Sequence, residues 1–368
     1  MKNRTKKIFV IAMICIACAF LSSLIISQPV LNRGVVVGMG VDQKEDGDIE
    51  VTIQIAVAGE SSAPGAPNRY AVVSGEGSTL IGAMEKISRI LAYKPAYFHC
   101  HILILGERLV TEGVREVTTQ LFAEDSVMDD VAILAVKGTA KETLERSVSV
   151  QGAASVYLQQ LNKINSTTGG HPTTTLKSFA TEFETEGYTP FLPWVEAIPV
   201  PQAVGGADTG GDEQNYAFDC SKTVLFDDEG RGSVEGEDVT VAIGLTGQAD
   251  GIHLPITTEE GFMDVFVKKS LHWWHIEKKG KVTLYPFYFV KVIATDLTES
   301  PKDLPDALVE KEVKKYAQRV ITESYTLGES KGLDPFSLKG KYHKKYGKKR
   351  QVDQMEFAVK IKVKVSDV

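Results

Sequence analysis

Cysteine is scarce in this chain: four among 368 residues, and two of them, Cys15 and Cys18, fall inside a single apolar run. Cys100 and Cys220 remain, distant in sequence. That is no disulfide framework, and two buried free thiols are the simpler expectation. An excess of positive charge is missing too. The formal net charge is −7, which argues against a general binder of nucleic acid or other polyanions. The common catalytic signatures are absent. There is no Gly-x-Ser-x-Gly, no Walker-type loop, and no pair of carboxylates patterned for acid–base work. Histidine offers the one opening to chemistry. His99 and His101 would share a face if they lay on a strand, as two ligands of a metal site. His272 and His275 flank Trp273 and Trp274, and His343 stands alone in a basic run. No spacing supplies the remaining ligands, so neither a metal nor a cofactor is expected.

Charge of either sign is also absent from Ile8 to Ile26. A helix needs about 20 apolar residues to cross the hydrocarbon core of a bilayer, so this run is long enough to span. Lys2, Arg4, Lys6 and Lys7 precede it and no cation follows until Arg33. The positive-inside bias then keeps the N-terminus in the cytosol and puts the chain after Gln28 outside. Three readings compete. Length favours a retained signal-anchor helix. A cleaved signal peptide would use Ile8 to Ile16 as its apolar region and Ala17-Cys18-Ala19 as its small-x-small site. It would leave Phe20, Leu21 and Leu24 to Ile26 on the new N-terminus, a poor start for a soluble protein. A lipoprotein would be modified at Cys18, although Cys15, three residues earlier, is not the usual Leu or Val.

What is present suits a folded ectodomain. Hydrophobic residues make up 43% of the chain, and the length allows two domains or three. Val35 to Asp42 reads as a strand, Glu45-Asp46-Gly47-Asp48 as a tight turn, and Ile49 to Val57 as a period-two strand with one core face. Ser74-Gly75-Glu76-Gly77-Ser78 reads as a strand-to-helix turn. Ser78 or Thr79 would cap a helix carrying Leu80, Met84, Ile87 and Leu91. Ile102 to Leu105 is a buried strand, Leu109 to Phe122 an amphipathic helix, Val131 to Val136 a strand, and Lys141 to Arg146 and Ser147 to Asn165 helical. Alternation of strands and helices predicts an α+β or mixed sheet with helices on one face.

Pro199 to Asn215 is small and polar, which predicts a linker over 201–217 between an N-terminal region (28–200) and a C-terminal domain (218–368). In the latter, Lys222 to Phe226, Val239 to Ile243, Val265 to Val267, Val282 to Leu284 and Phe287 to Ile293 read as strands. A helix runs from about Pro305 to Leu327. Met355 to Val365 alternates with lysines as an edge strand would. The basic run Lys339 to Arg350, with Tyr342 and Tyr346, reads as a solvated loop or a contact for anionic headgroups.

The residues resemble the C subunits of bacterial spore germinant receptors, the Ger(x)C family. The matching pieces are Asn32-Arg33-Gly34 through Gly40-Val41-Asp42, the Gly47 to Val57 strand, and the Gly75-Glu76-Gly77 turn. His99-Cys100 through Gly106-Glu107 follows, then Ala135 to Ala140, Thr185 to Pro193, and Lys331 through Asp334 and Phe336. Order and spacing carry the likeness rather than any one motif. Two departures stand out: the lipobox signature is missing, and Ser337 stands where glycine is common. The resemblance implies a non-enzymatic subunit on the extracytoplasmic face of the spore inner membrane. It would assemble with an A subunit and a polytopic B subunit to answer nutrients. The competing expectation is a surface-anchored hydrolase or metal-binding protein using His99 and His101.

Overall fold

The computed structural model describes residue 13 and residues 33–57, 69–92, 94–124, 127–146, 148, 153–168, 174–200, 215–247, 251–348 and 355–366. Apart from Met13, the run Ile8 to Ile26, Cys18 included, lies outside the described residues. Among the described residues, no helix is long and apolar enough to cross a membrane.

Two mixed sheets organise the chain. Strands β1 (Arg33–Gln43), β2 (Ile49–Val57) and β3 (Arg69–Gly77) form an antiparallel meander. Gly47, at φ +88°, makes the first turn as the Asp-Gly pair predicts. Helix α1 (Leu80–Ile90) follows, its Thr79 hydroxyl accepting the Gly82 N–H at 3.1 Å. Then come β4 (Lys94–Ala96), β5 (Ile102–Gly106), α2 (Glu107–Glu112), α3 (Arg115–Ala123), β6 (Ala132–Val136), α4 (Ala140–Glu145), α5 (Ala154–Thr168), α6 (Leu176–Glu184) and β7 (Phe191–Val200). β8 (Asn215–Phe226) and β9 (Gly232–Glu235) complete a sheet ordered β3-β2-β1-β5-β6-β7-β8-β9, with β4 beside β1. β1, β5, β6 and β7 run parallel; the flanking strands are antiparallel.

This sheet is covered on both faces, not one. Leu103 and Leu105 of β5 face α1, α3 and α6. Ile102 and Ile104 face α4 and α5. Alternating side chains of one continuous apolar strand thus enter two cores, as a buried parallel strand requires. The same two-sided cover corrects the reading of β2. Its polar face is buried too, with Thr52 fully enclosed and Gln54 4% exposed. Gln54 is satisfied there: its amide donates to Leu144 O at 3.0 Å and accepts from Ser155 N at 3.1 Å and Ser155 Oγ at 2.5 Å.

The first sheet also crosses the expected 201–217 linker. β7 ends at Val200, β8 begins at Asn215, and the two pair directly, so residues up to Glu235 belong with the N-terminal region. Three local readings change as well. The amphipathic stretch from Leu109 is two helices, broken where Gly113 adopts φ +140°. The helical segment from Ser147 begins, among the described residues, at Ala154. Val239 to Ile243 is not a strand but part of helix α7 (Glu237–Thr246). Its β-branched run misleads because every residue from Val239 to Thr246 except Val241 is buried. α7 is wedged between the sheets, Val239 and Ile243 against Leu225, Ala242 and Leu245 against the second core. A helix surrounded on all sides has no polar stripe to betray its period.

The second sheet comprises β10 (Ile252–Thr257), β11 (Phe262–Ile276), β12 (Lys281–Thr295), β13 (Glu356–Val359) and β14 (Lys362–Val365). Helices α8 (Asp306–Ser330) and α9 (Leu338–Tyr346) separate β12 from β13. The order is β10-β11-β12-β13, with β14 also on β12. The expected C-terminal edge strand is thus two short ones, parallel to β12 and divided at Ile361, which enters the core. The basic run from Lys339 is largely helix α9, docked by Tyr342, Lys345 and Tyr346 onto carbonyls of Lys278 and Ile276. Lys349 and Arg350 lie outside the described residues.

Gln54→Leu strips acceptors from Ser155 and the donor to Leu144 inside a closed core. It should cost about 2–4 kcal/mol, because unsatisfied buried groups forfeit their full solvation. Urea unfolding would read this as a lower midpoint with an unchanged slope. An unchanged midpoint would mean that the network holds nothing.

Candidate functional site

Asp42 lies next to the last residue of β1, where the parallel strands deliver their carboxyl ends. Its carboxylate receives Ala140 N–H at 2.8 Å and Lys141 N–H at 2.9 Å, capping α4 across the sheet. Thr139, the residue before α4, covers a third N–H, that of Glu142, at 3.1 Å. Glu107, just after β5, accepts Gly138 N–H at 2.8 Å and returns its own N–H to Gly138 O at 2.8 Å. Glycines make the approach feasible. A Cβ on Gly106 would stand 1.8 Å from Asp42 Oδ1, and one on Gly40 2.8 Å from Ala140 Cβ. Gly40, Asp42, Gly106, Glu107 and the 138–140 turn, scattered in sequence, therefore form one knot. Enclosure at 4% exposure lifts the Asp42 carboxyl to about 6, with the two N–H bonds opposing and Glu50 adding to the rise.

Acidic side chains continue across the sheet in register: Asp42 opposite Glu50, Glu50 opposite Glu76. Lys141 reaches Glu50 at 2.6 Å and Lys44 reaches Glu76 at 2.7 Å, which holds the Glu76 carboxyl below its ordinary range. Gly75 and Gly77 are not in a turn; they lie in β3, directly under α1. A Cβ on Gly75 would meet Ala83 O at 2.5 Å, and one on Gly77 would meet Ala83 N at 2.8 Å. They are places of close helix–strand approach.

The two matched segments Thr185 to Pro193 and Lys331 to Phe336 meet at the seam between the sheets. Asp334, after α8, accepts Phe336 N–H at 3.2 Å and Lys339 N–H at 3.1 Å. Its own N–H donates to Thr189 Oγ1 at 3.2 Å; Thr189 N–H donates to Ser337 Oγ at 3.1 Å, and Gly340 N–H to Gly187 O at 2.7 Å. So the Thr185 to Pro193 segment and the Lys331 to Phe336 turn, about 145 residues apart, clasp each other. Ser337 sits at φ +50°, where glycine is at ease and other residues are strained. The hydrogen bond from Thr189 offsets that strain and accounts for a serine here. Beside the clasp is a cavity of about 150 Å³ lined by Glu182, Trp274 and Lys341 among others. Lys341 donates to Phe336 O and lies 4.8 Å from the Trp274 ring centroid. Burial lowers its pKa and raises that of Glu182 to about 7. Sequence reading missed Glu182, which has no local pattern, and saw Lys341 only as part of the basic run; only folding brings α6 to α9.

The histidines do not form a pair. His99 ends a 3₁₀ turn (Tyr97–His99) and His101 precedes β5; both are exposed, and no strand face aligns them. Among the described residues, no group of three His, Cys, Asp or Glu is placed to hold a metal. Cys100 and Cys220 are buried in different cores and form no disulfide with each other, and enclosure pushes both thiols up to about 12. Asp42, Glu107 and Asp334 each spend their carboxylates on backbone N–H groups.

Comparison with known proteins agrees with this architecture. Residues 27–197 match the family described as the spore germination protein N-terminal domain. No curated protein matches the chain. Among solved structures, the crystal structure of the GerBC protein superposes with a TM-score of 0.51 at 14% identity, covering 90% of this chain and 97% of that one. At that identity the likeness speaks for the fold.

Two measurements test the two clasps. Asp42 binds its proton more tightly folded than unfolded. Its contribution is therefore full below about pH 4 and is lost as pH rises toward 6, a change of about 2–3 kcal/mol. Asp42→Asn should flatten that part of the stability–pH curve, and at neutral pH should cost about 1–3 kcal/mol through one poorly met N–H. A curve parallel to wild type would refute the coupling. Ser337→Gly should leave stability within about 1 kcal/mol, strain relief offsetting the lost bond, whereas Ser337→Val should lose about 1–3 kcal/mol. Equal melting of both variants would remove the strain argument.

Proposed function

We propose that this chain, whose residues 27–197 match the spore germination protein N-terminal domain, is the non-enzymatic C subunit of a nutrient germinant receptor. It acts through assembly, on the extracytoplasmic face of the spore inner membrane, with an A subunit and a polytopic B subunit. One observation carries the reading. Each matched carboxylate whose contacts are known spends itself on the chain: Asp42 on α4, Glu107 on Gly138, Glu76 on Lys44, Asp334 on the turn into α9. Such residues preserve a shape. A shape kept this way suits a protein that presents surfaces to partners, and the GerBC-like fold supports the same reading. The apolar run Ile8 to Ile26 would tether the two sheets beside those partners and raise their effective concentration there.

The test is recovery of partners. Pulled from mildly solubilised spore membranes by a C-terminal tag, this protein should bring down a transporter-like polytopic protein and a large A-type subunit. Gly106→Ala, which forces the Asp42 cap apart, should lower both the yield of the complex and nutrient-triggered germination. Isolation of the protein alone in several mild detergents would sink the proposal. So would A and B subunits that assemble and respond fully without it.

A further inference from the structure

Among the described residues, helices cover one face of the second sheet and leave the other bare. Val265, Val267, Tyr288 and Val290 point toward α7, α8 and α9. Along the other face, β11 and β12 set Leu271 opposite Phe287 and Trp273 opposite Tyr285, with Phe289 next in line. Trp273 is 51% exposed and Leu271 44%. Trp273 and Tyr285 stack 5.6 Å apart with 2° between ring planes, and the Phe287 and Phe289 centroids are 4.6 Å apart. These contacts make a preformed aromatic strip.

Lysines border it. In register, Lys362 stands beside Phe287, Lys364 beside Phe289, and Lys269 beside Phe289 from the other flank. Lys360 lies 5.6 Å from the Tyr285 centroid, and Lys291 follows Phe289 along the same face of β12. Among the described residues, the acidic side chains on this face stand at its two ends, Asp264 opposite Ala294 and Glu356 opposite Lys281, to which it is paired at 3.3 Å. A protein of net charge −7 has thus concentrated positive charge around its most exposed aromatic surface.

We propose that this face rests on the headgroup layer of an anionic lipid bilayer. The residue types fit that occupant. Trp and Tyr combine an apolar body with a polar edge and settle at membrane interfaces. The lysines that border the rings can extend their ammonium groups to lipid phosphates while their stems stay over apolar surface. Each lysine near an anionic leaflet adds about five-fold to partitioning. The contact is separate from the run Ile8 to Ile26 and from the α9 lysines. It also stands apart from subunit assembly, so a failed pull-down would leave it untouched.

Full-length protein would be combined with vesicles of phosphatidylcholine and phosphatidylglycerol carrying brominated acyl chains. The signal of Trp273 is obtained as the difference from Trp273→Phe. Bromolipid should quench it. The quenching should be lost in pure phosphatidylcholine, in high salt, and in the triple variant Lys360→Glu, Lys362→Glu, Lys364→Glu. Lys→Gln at the same three sites serves if charge reversal unfolds the sheet. Absence of Trp273 quenching in anionic vesicles that carry the protein overturns the proposal, as does equal quenching in neutral vesicles. Shielding of Trp273 that appears only when a partner protein is added also overturns it and assigns the face to that protein.

Discussion

The N-terminal region depends on a helix start that cannot satisfy itself. The first N–H groups of any α-helix lack intrahelical acceptors, and α4, at six residues, is too short to stand by itself. Asp42 supplies acceptors from the carboxyl end of β1. Everything near it is arranged around that carboxylate. Gly106 leaves room for one oxygen, Gly40 lets Ala140 sit down on β1, and Glu107 ties the preceding turn to β5. The cost is a carboxylate held away from water, kept tolerable by two N–H bonds at a positive helix end. α4 in turn roofs the polar side of β2, where Leu144 O takes the Gln54 amide. One capping interaction thereby fixes the second core of the sheet.

The seam between the sheets uses a different device. Apolar contact comes from α7, whose residues divide between Leu225 on one side and the second core on the other. Direction comes from backbone hydrogen bonds between Gly187 and Gly340 and between Thr189, Asp334 and Ser337. Burial alone would let two such bodies slide; hydrogen bonds of fixed geometry set the angle at which they meet.

Much of the fold was legible because its elements have strong local signals. Thr79, Gly47 and the period-two run of β2 report caps, turns and strands within a few residues. The resemblance to the Ger(x)C family rests on the same pieces. What local pattern could not convey was the far side of each element. β2 looks half-exposed until α5 brings Ser155 onto Gln54. α7 looks like a strand because complete burial erases the amphipathic period. The polar stretch after Pro199 resembles a linker, yet β7 and β8 on either side of it are partners in one sheet. The motif residues followed the same rule. Gly106 could be recognised, but its reason, an oxygen 1.8 Å from an absent methyl, belongs to a residue 64 positions earlier.

The parallel seating of β13 and β14 on β12 has a consequence for biosynthesis. β12 ends at Thr295, but the strands that cover its edge are the last described residues, beyond a 25-residue helix. A chain made or exported from its N-terminus can close the first sheet once Glu235 has emerged. It must wait with the long β11–β12 hairpin open-edged until Val365 arrives. An exposed strand edge is a template for unwanted pairing. During that interval the hairpin is the part of the molecule most in need of a chaperone or of rapid delivery.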